Sequence, residues 1–157
     1  MLLSEVFLPE FIKCDLNGRV KDDVFEEMVD QFCRVTHKDV KNDIITALKE
    51  REARMSTGVQ NGIAIPHGKT AAIDGVFGMV GVSREGIDYN ALDGKPVHLI
   101  FMIIAPPVEA GTHLNILQRM ANFLRQPEFY TDLINAKDGD SVYAIIKQYE
   151  KKDVQRG

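Results

Sequence analysis

Nine consecutive residues, VHLIFMIIA from Val97 to Ala105, carry one imidazole and otherwise only apolar side chains. Alternate side chains of a strand point to opposite faces, so a strand that is apolar on both must be covered on both. This segment is therefore read as a central strand, and the rest of the 157 residues must supply cover for each side of it. The turn before it is DGKP (93–96). A second long strand is read in VFGMVGVSR (76–84) and a short one at Ile63 to Ile65, from their apolar and β-branched content.

Helical patterns surround these strands. DLNGRV (15–20) reads as the turn before the first helix, KDDVFEEMVDQFC, in which Val24, Phe25, Met28, Val29 and Phe32 recur at helical steps and form a core face. Thr36 and Asp39 read as a capping box for a second helix, with Val40, Ile44, Ala47 and Leu48 inward and the charged KEREAR (49–54) at its end. APPVEAGTH (105–113) reads as a loop delivering His113 to the start of a third helix, whose core stripe is Leu114, Leu117, Ala121 and Leu124. Two more helices are expected near 127–137 and 140–150, the last capped by Asp140 or Ser141, followed by a frayed tail over 150–157. Helices that precede, separate and follow a few strands imply a sheet covered on both faces, in one domain spanning 1–157 with its core at about 3–149.

Charge and cysteine use narrow the functional classes. A net charge of −4 argues against a broad nucleic-acid footprint while allowing a local basic pocket. The two cysteines, Cys14 and Cys33, have neither metal-type spacing nor a secretory context, so we expect a cytoplasmic protein. The apolar N-terminus carries Glu5 and Glu10 and makes a poor signal peptide, and no run approaches a membrane span.

The chemistry-bearing residues are few. GIAIPHGKT invites comparison with a phosphate-binding loop, but five residues rather than four separate Gly62 from Gly68, and no helix opens after it. No H-E-x-x-H, C-x-x-C or G-x-S-x-G pattern occurs, which argues against a zinc site or a serine hydrolase. His67 follows a proline that fixes φ and precedes a glycine that permits close approach. An imidazole there is either a reactive nucleophile or a strand-end histidine bonded to a carbonyl, and the local sequence does not choose. His113 or Thr112 reads first as a helix cap, although free N–H groups at a helix start favour an anion. Arg51 lies near a helix C-terminus, where cations are favourable in any case, and Arg54 one turn on is an alternative. His37 reads as part of a helix start, and His98 as a core or sheet-edge histidine.

Taken together, STGVQNGIAIPHGKT (56–70), KEREA (49–53) and GTHLNILQRMANFLR (111–125) resemble the fructose/mannitol-type enzyme IIA domain of the bacterial phosphoenolpyruvate-dependent sugar phosphotransferase system. The resemblance implies a three-layer α/β/α sandwich with a mixed sheet. It implies that His67 accepts a phosphoryl group from the phosphohistidine of an HPr-type carrier, with His113 and Arg51 around that group and no cofactor or metal. Partners would be the HPr-type carrier and either a IIB subunit or regulated proteins. A docking surface should surround His67, with Ile63, Ile65 and Val108 as candidates. The segment SEVFLPEFIKCDLNGRVKDDVFEEM (4–28) looks more like the nitrogen-regulatory branch, so a regulatory switch is expected first. The alternative is a transport component that phosphorylates a separate IIB subunit for sugar uptake.

Overall fold

In the computed structural model, which describes residues 1–156, the strands are β1 (Ile12–Lys13), β2 (Gly58–Gln60), β3 (Ile63–Ala64), β4 (His67–Lys69), β5 (Phe77–Ile87) and β6 (Val97–Ala105). The helices are α1 (Leu3–Val6), α2 (Lys21–Thr36), α3 (Lys41–Glu52), α4 (Ala110–Leu124), α5 (Pro127–Ile134) and α6 (Gly139–Arg156). The sheet is mixed and ordered β1-β5-β6-β3-β2. β5 runs antiparallel to β6. The other side of β6 is occupied in succession by β3, from Ile63 opposite Leu99, and β4, from His67 opposite Ile103, both parallel.

β6 is central, as its composition demands, and its two parities belong to two separate cores. Leu99, Phe101 and Ile103 pack with residues of α1, α4, α5 and α6, among them Leu3, Ile116, Phe129 and Val142. Ile100, Met102 and Ile104 pack with α2 and α3 through Val24, Phe25, Phe32, Ile44 and Leu48. The result is the expected α/β/α sandwich. Phe101 is fully buried, and its ring lies 5.5 Å from Phe7, edge-on. Removing such a ring costs about 3–5 kcal/mol.

Several local expectations are corrected. Thr36 does not open the second helix: it ends α2, its hydroxyl donating back to the Phe32 carbonyl. His37 follows as a left-handed C-cap at φ 56°, and α3 starts after Val40 with no side-chain cap. The loop read over 105–113 contains a short 3-10 turn, Pro107–Glu109, and α4 already begins at Ala110. α4 is also rotated from expectation. His113, Ile116, Met120 and Phe123 face the core and Leu117 and Leu124 pack half-buried against it as expected, whereas Leu114 is 55% exposed and Ala121 is exposed. Asp138, not Asp140 or Ser141, caps α6 by accepting the Ser141 N–H at 2.8 Å. α6 continues through Arg156 instead of fraying from 150, and Gly157 lies outside the described residues.

The N-terminus is tied to the C-terminal helix. The buried carboxylate of Glu150 accepts the Leu3 and Ser4 N–H groups at 2.5 and 2.9 Å, with Arg119 at 3.7 Å. Two orphan donors of a single-turn helix are thereby satisfied. His98 is half-buried on β6 with its Nδ1 2.9 Å from the Ser83 carbonyl. Cys14 and Cys33 are unpaired and half-buried, and burial pushes the Cys14 thiol up. Among the described residues no helix is long and apolar enough to cross a membrane.

Candidate functional site

The chain turns sharply just before its first histidine of interest. Asn61 and Gly62 both have positive φ, 58° and 79°, the requirement of a tight hairpin turn, and they join β2 to β3. After β3 the chain breaks at Ile65 and Pro66 and resumes as β4. The Pro66 carbonyl accepts the Ile103 N–H at 3.0 Å, so the break stays anchored to β6. His67 thus opens β4 near the C-terminal end of β6, half-buried.

Gly68 explains how a helix reaches it. A Cβ on Gly68 would lie 2.9–3.0 Å from the backbone and Cβ of Ala47 in α3. The missing side chain lets β4 press against α3, and the last turn of α3 carries Arg51. The Nε of Arg51 lies 3.2 Å from Nε2 of His67, and its Nη1 donates to the Met55 carbonyl at 2.9 Å.

These contacts assign the tautomer of His67. Its Nδ1 is 2.9 Å from the Ile65 carbonyl, which can only accept, so Nδ1 carries the proton. Nε2 is left with its lone pair, and Arg51 donates to it. Burial lowers the pKa of His67 below 6.5, the Ile65 bond works against that shift, and the Arg51 charge adds to it. At neutral pH the ring is uncharged and nucleophilic.

His113 sits in the first turns of α4, where the rotation of that helix turns its ring inward. The ring centroids of His67 and His113 are 5.5 Å apart, and His113 is 3% exposed. Its Nε2 is buried with no hydrogen-bond partner among the described residues. Burial, with His67 and Lys69 adding to it, lowers its pKa to about 4. It is not a cap: the first turn of α4 follows Glu109, whose carboxylate accepts the Thr112 hydroxyl at 2.9 Å.

A cleft of about 630 Å³ opens over these groups. Arg51, Arg54 and Lys69 line it against Glu50, and Ala110 and Gly111 bring the N-terminal end of α4 to its edge. Both fixed cations and the helix end favour a small anion there. Arg54 is exposed and borders the cleft, while Arg51 makes the contact to the histidine. Of the residues expected to surround the site, none lines this cleft: Val108 is 90% exposed, and Ile65, half-buried, and Ile63, buried, border a separate cleft with Ala121 and Tyr130. Among the described residues no three His, Cys, Asp or Glu side chains converge as a metal-binding set.

One group was not anticipated. Glu52, next to Arg51, turns inward and accepts bonds from Lys21 Nζ at 3.0 Å, the Tyr89 hydroxyl at 3.0 Å, and the backbone N–H and hydroxyl of Thr57. Its partners lie 31, 37 and 5 residues away, so no local pattern announces them.

Fold and cleft together define a class: an α/β sandwich with an uncharged imidazole in a cation-lined cleft at a sheet edge. The chain belongs to the family described as Phosphoenolpyruvate-dependent sugar phosphotransferase system, EIIA 2, which matches residues 5–149. It is 35% identical over 151 residues to the PTS system fructose-specific EIIABC component of Bacillus subtilis, covering 96% of this chain but only 24% of that protein. It is 29% identical over 146 residues to the nitrogen regulatory protein of Bradyrhizobium diazoefficiens, covering 93% of this chain and 95% of that one. Its fold matches the crystal structure of the nitrogen regulatory protein IIA-Ntr from Neisseria meningitidis with a TM-score of 0.84 and 31% identity, over 92% of this chain and 98% of that one.

Proposed function

We propose that this protein is a phosphohistidine carrier that takes a phosphoryl group onto Nε2 of His67 from an HPr-type phosphocarrier and acts as a regulatory switch. The observation that carries this reading is the fixed tautomer of His67: Nδ1 is committed to the Ile65 carbonyl, and Nε2 keeps its lone pair in a basic cleft. Nε2 attacks phosphorus as the N–P bond to the carrier's imidazole breaks, and that imidazole leaves with the electron pair. Charge on the phosphoryl oxygens in such a loose transition state is what the protein must stabilise. Arg51 exchanges its bond to Nε2 for a bond to a phosphoryl oxygen, and its fork geometry suits two oxygens. His113, neutral and with an unsatisfied nitrogen, donates to another.

Regulation enters through charge. A phosphoryl group adds roughly −1.5 to −2 charges beside the exposed Leu114 at the cleft, enough to change what binds there. The similarity to nitrogen regulatory proteins along almost their whole length supports the switch. The second reading, transfer onward to a IIB subunit for sugar uptake, is favoured by the 35% identity to a fructose-specific relative.

Intact-mass spectrometry tests the carrier chemistry. The protein is incubated at alkaline pH with phosphoenolpyruvate, enzyme I and an HPr-type carrier, beside His67→Ala. One acid-labile phosphoryl mass that the substitution abolishes supports the reading. A stoichiometric phosphoryl mass on His67→Ala overturns it.

A further inference from the structure

The two groups that meet at Nε2 of His67 are both held by backbone carbonyls, and both carbonyls lead to one carboxylate. Arg51 is held by the Met55 carbonyl, in the turn between α3 and β2. The His67 ring is held by the Ile65 carbonyl. The Ile65 N–H in turn donates to the Thr57 carbonyl at 3.0 Å. Glu52 closes that turn. Both its oxygens lie 3.2 Å from the Thr57 N–H, and one also receives the Thr57 hydroxyl. We propose that Glu52 is the positioning residue of this site, holding Arg51 through the 53–57 turn and the His67 ring through Thr57 and Ile65. The kinetic half of this proposal rests on His67 being the phosphoryl acceptor; the positional half does not.

The surroundings of Glu52 suit such a role better than a purely stabilising one. Its side chain is 7% exposed, and Lys21 is the cation paired with it at 3.0 Å. The Tyr89 ring lies under that ammonium at 4.8 Å, and the Tyr89 and Thr57 oxygens are 2.7 Å apart. A buried ion pair is a weak source of stability, because desolvation offsets its attraction, but its directed bonds admit few alternative geometries. Thr57 and Tyr89 are themselves buried, so the carboxylate sits in a rigid frame. Arg51 leaves α3 toward the cleft, and its neighbour Glu52 leaves toward this frame. A shift of the turn therefore moves the arginine and the imidazole together.

The test uses Glu52→Gln, which keeps the shape of the side chain and removes its charge, and Thr57→Val, a milder change that removes only the hydroxyl arm. Two properties are read: the imidazole ¹⁵N shifts of His67 at neutral pH, and the rate of phosphorylation by the carrier. The wild-type ring is expected as the single Nδ1–H tautomer. Folded Glu52→Gln is expected as a mixture of tautomers, with stoichiometric phosphorylation that is about ten- to a hundredfold slower. Thr57→Val should move both readouts the same way by less, and it decides the matter if Glu52→Gln does not fold. A folded variant with the wild-type tautomer and the wild-type rate overturns the proposal, whatever its melting temperature. If the wild-type protein itself accepts no phosphoryl group, the carrier reading fails separately and the tautomer alone decides whether Glu52 positions the ring.

Discussion

The Nε–H of Arg51 meets the lone pair of His67 Nε2 across 3.2 Å, so at rest the proposed acceptor nitrogen is capped by the cation that would stabilise the transferred group. On the proposed function, an incoming phosphoryl group would satisfy both partners at once, nitrogen bonding phosphorus as the guanidinium moves to oxygen. Arg51→Ala should therefore slow phosphorylation by at least about a hundredfold while leaving the stoichiometry at one. Arg51→Lys should not restore the rate, since an ammonium lacks the fork that reaches the Met55 carbonyl and the phosphoryl group together. Single-turnover kinetics with a phosphorylated carrier measure both.

The pH dependence of that rate follows from the lowered pKa of His67. The acid limb of the profile should have its midpoint below 6.5, because the ring stays uncharged until then. The Arg51 charge is one of the causes of the shift, after burial, so Arg51→Ala should move the midpoint up. A pH–rate series on the two proteins shows the direction.

His113 gives a prediction on stability. Its folded pKa of about 4 lies below the ordinary 6.5. The unfolded chain takes up the proton first as pH falls, so stability is full above 6.5 and declines between 6.5 and about 4. The loss amounts to up to about 3 kcal/mol for this group, at 1.36 kcal/mol per unit. His113→Leu should flatten that part of the curve, measured by urea melts across the range. It should also slow phosphoryl transfer by about a hundredfold without removing the acceptor.

Gly68 links packing to chemistry. Gly68→Ala forces α3 away from β4 at Ala47, at a cost of about 1–3 kcal/mol. Because α3 carries Arg51, transfer should slow as well, in a protein whose site side chains are all intact. Glu150→Gln is the contrasting case. It weakens the tether of α1 and should cost about 1–3 kcal/mol with the transfer rate unchanged. Melting and transfer measured side by side separate the two behaviours.

Much of the sandwich was legible because β6 is apolar at both parities and so demanded cover on both faces. β2 and β4 were not, being three residues each, and HGK has no strand pattern at all; its pairing with β6 makes it a strand. The Asn61–Gly62 pair was the available signal for the hairpin. α4 misled because it is apolar on two adjacent faces. Leu114, Leu117, Ala121 and Leu124 keep helical spacing as well as His113, Ile116, Met120 and Phe123 do, and only the packed sheet shows that the second set is fully buried while Leu117 and Leu124 flank it half-buried and Leu114 and Ala121 are exposed. The P-H-G motif pointed to His67 and the resemblance to Arg51, while the partner that fixes the ring's tautomer is the Ile65 carbonyl, a backbone group with no sequence signature.

On the proposed function, Nε2 of His67 receives the phosphoryl group because Nδ1 is committed to the Ile65 carbonyl. Long-range ¹H–¹⁵N and ³¹P NMR of the phosphorylated, ¹⁵N-labelled protein measures it most directly. Phosphorus is expected on Nε2 of His67, with Nδ1 still protonated. Phosphorus on Nδ1 of His67, or on His113, would contradict it.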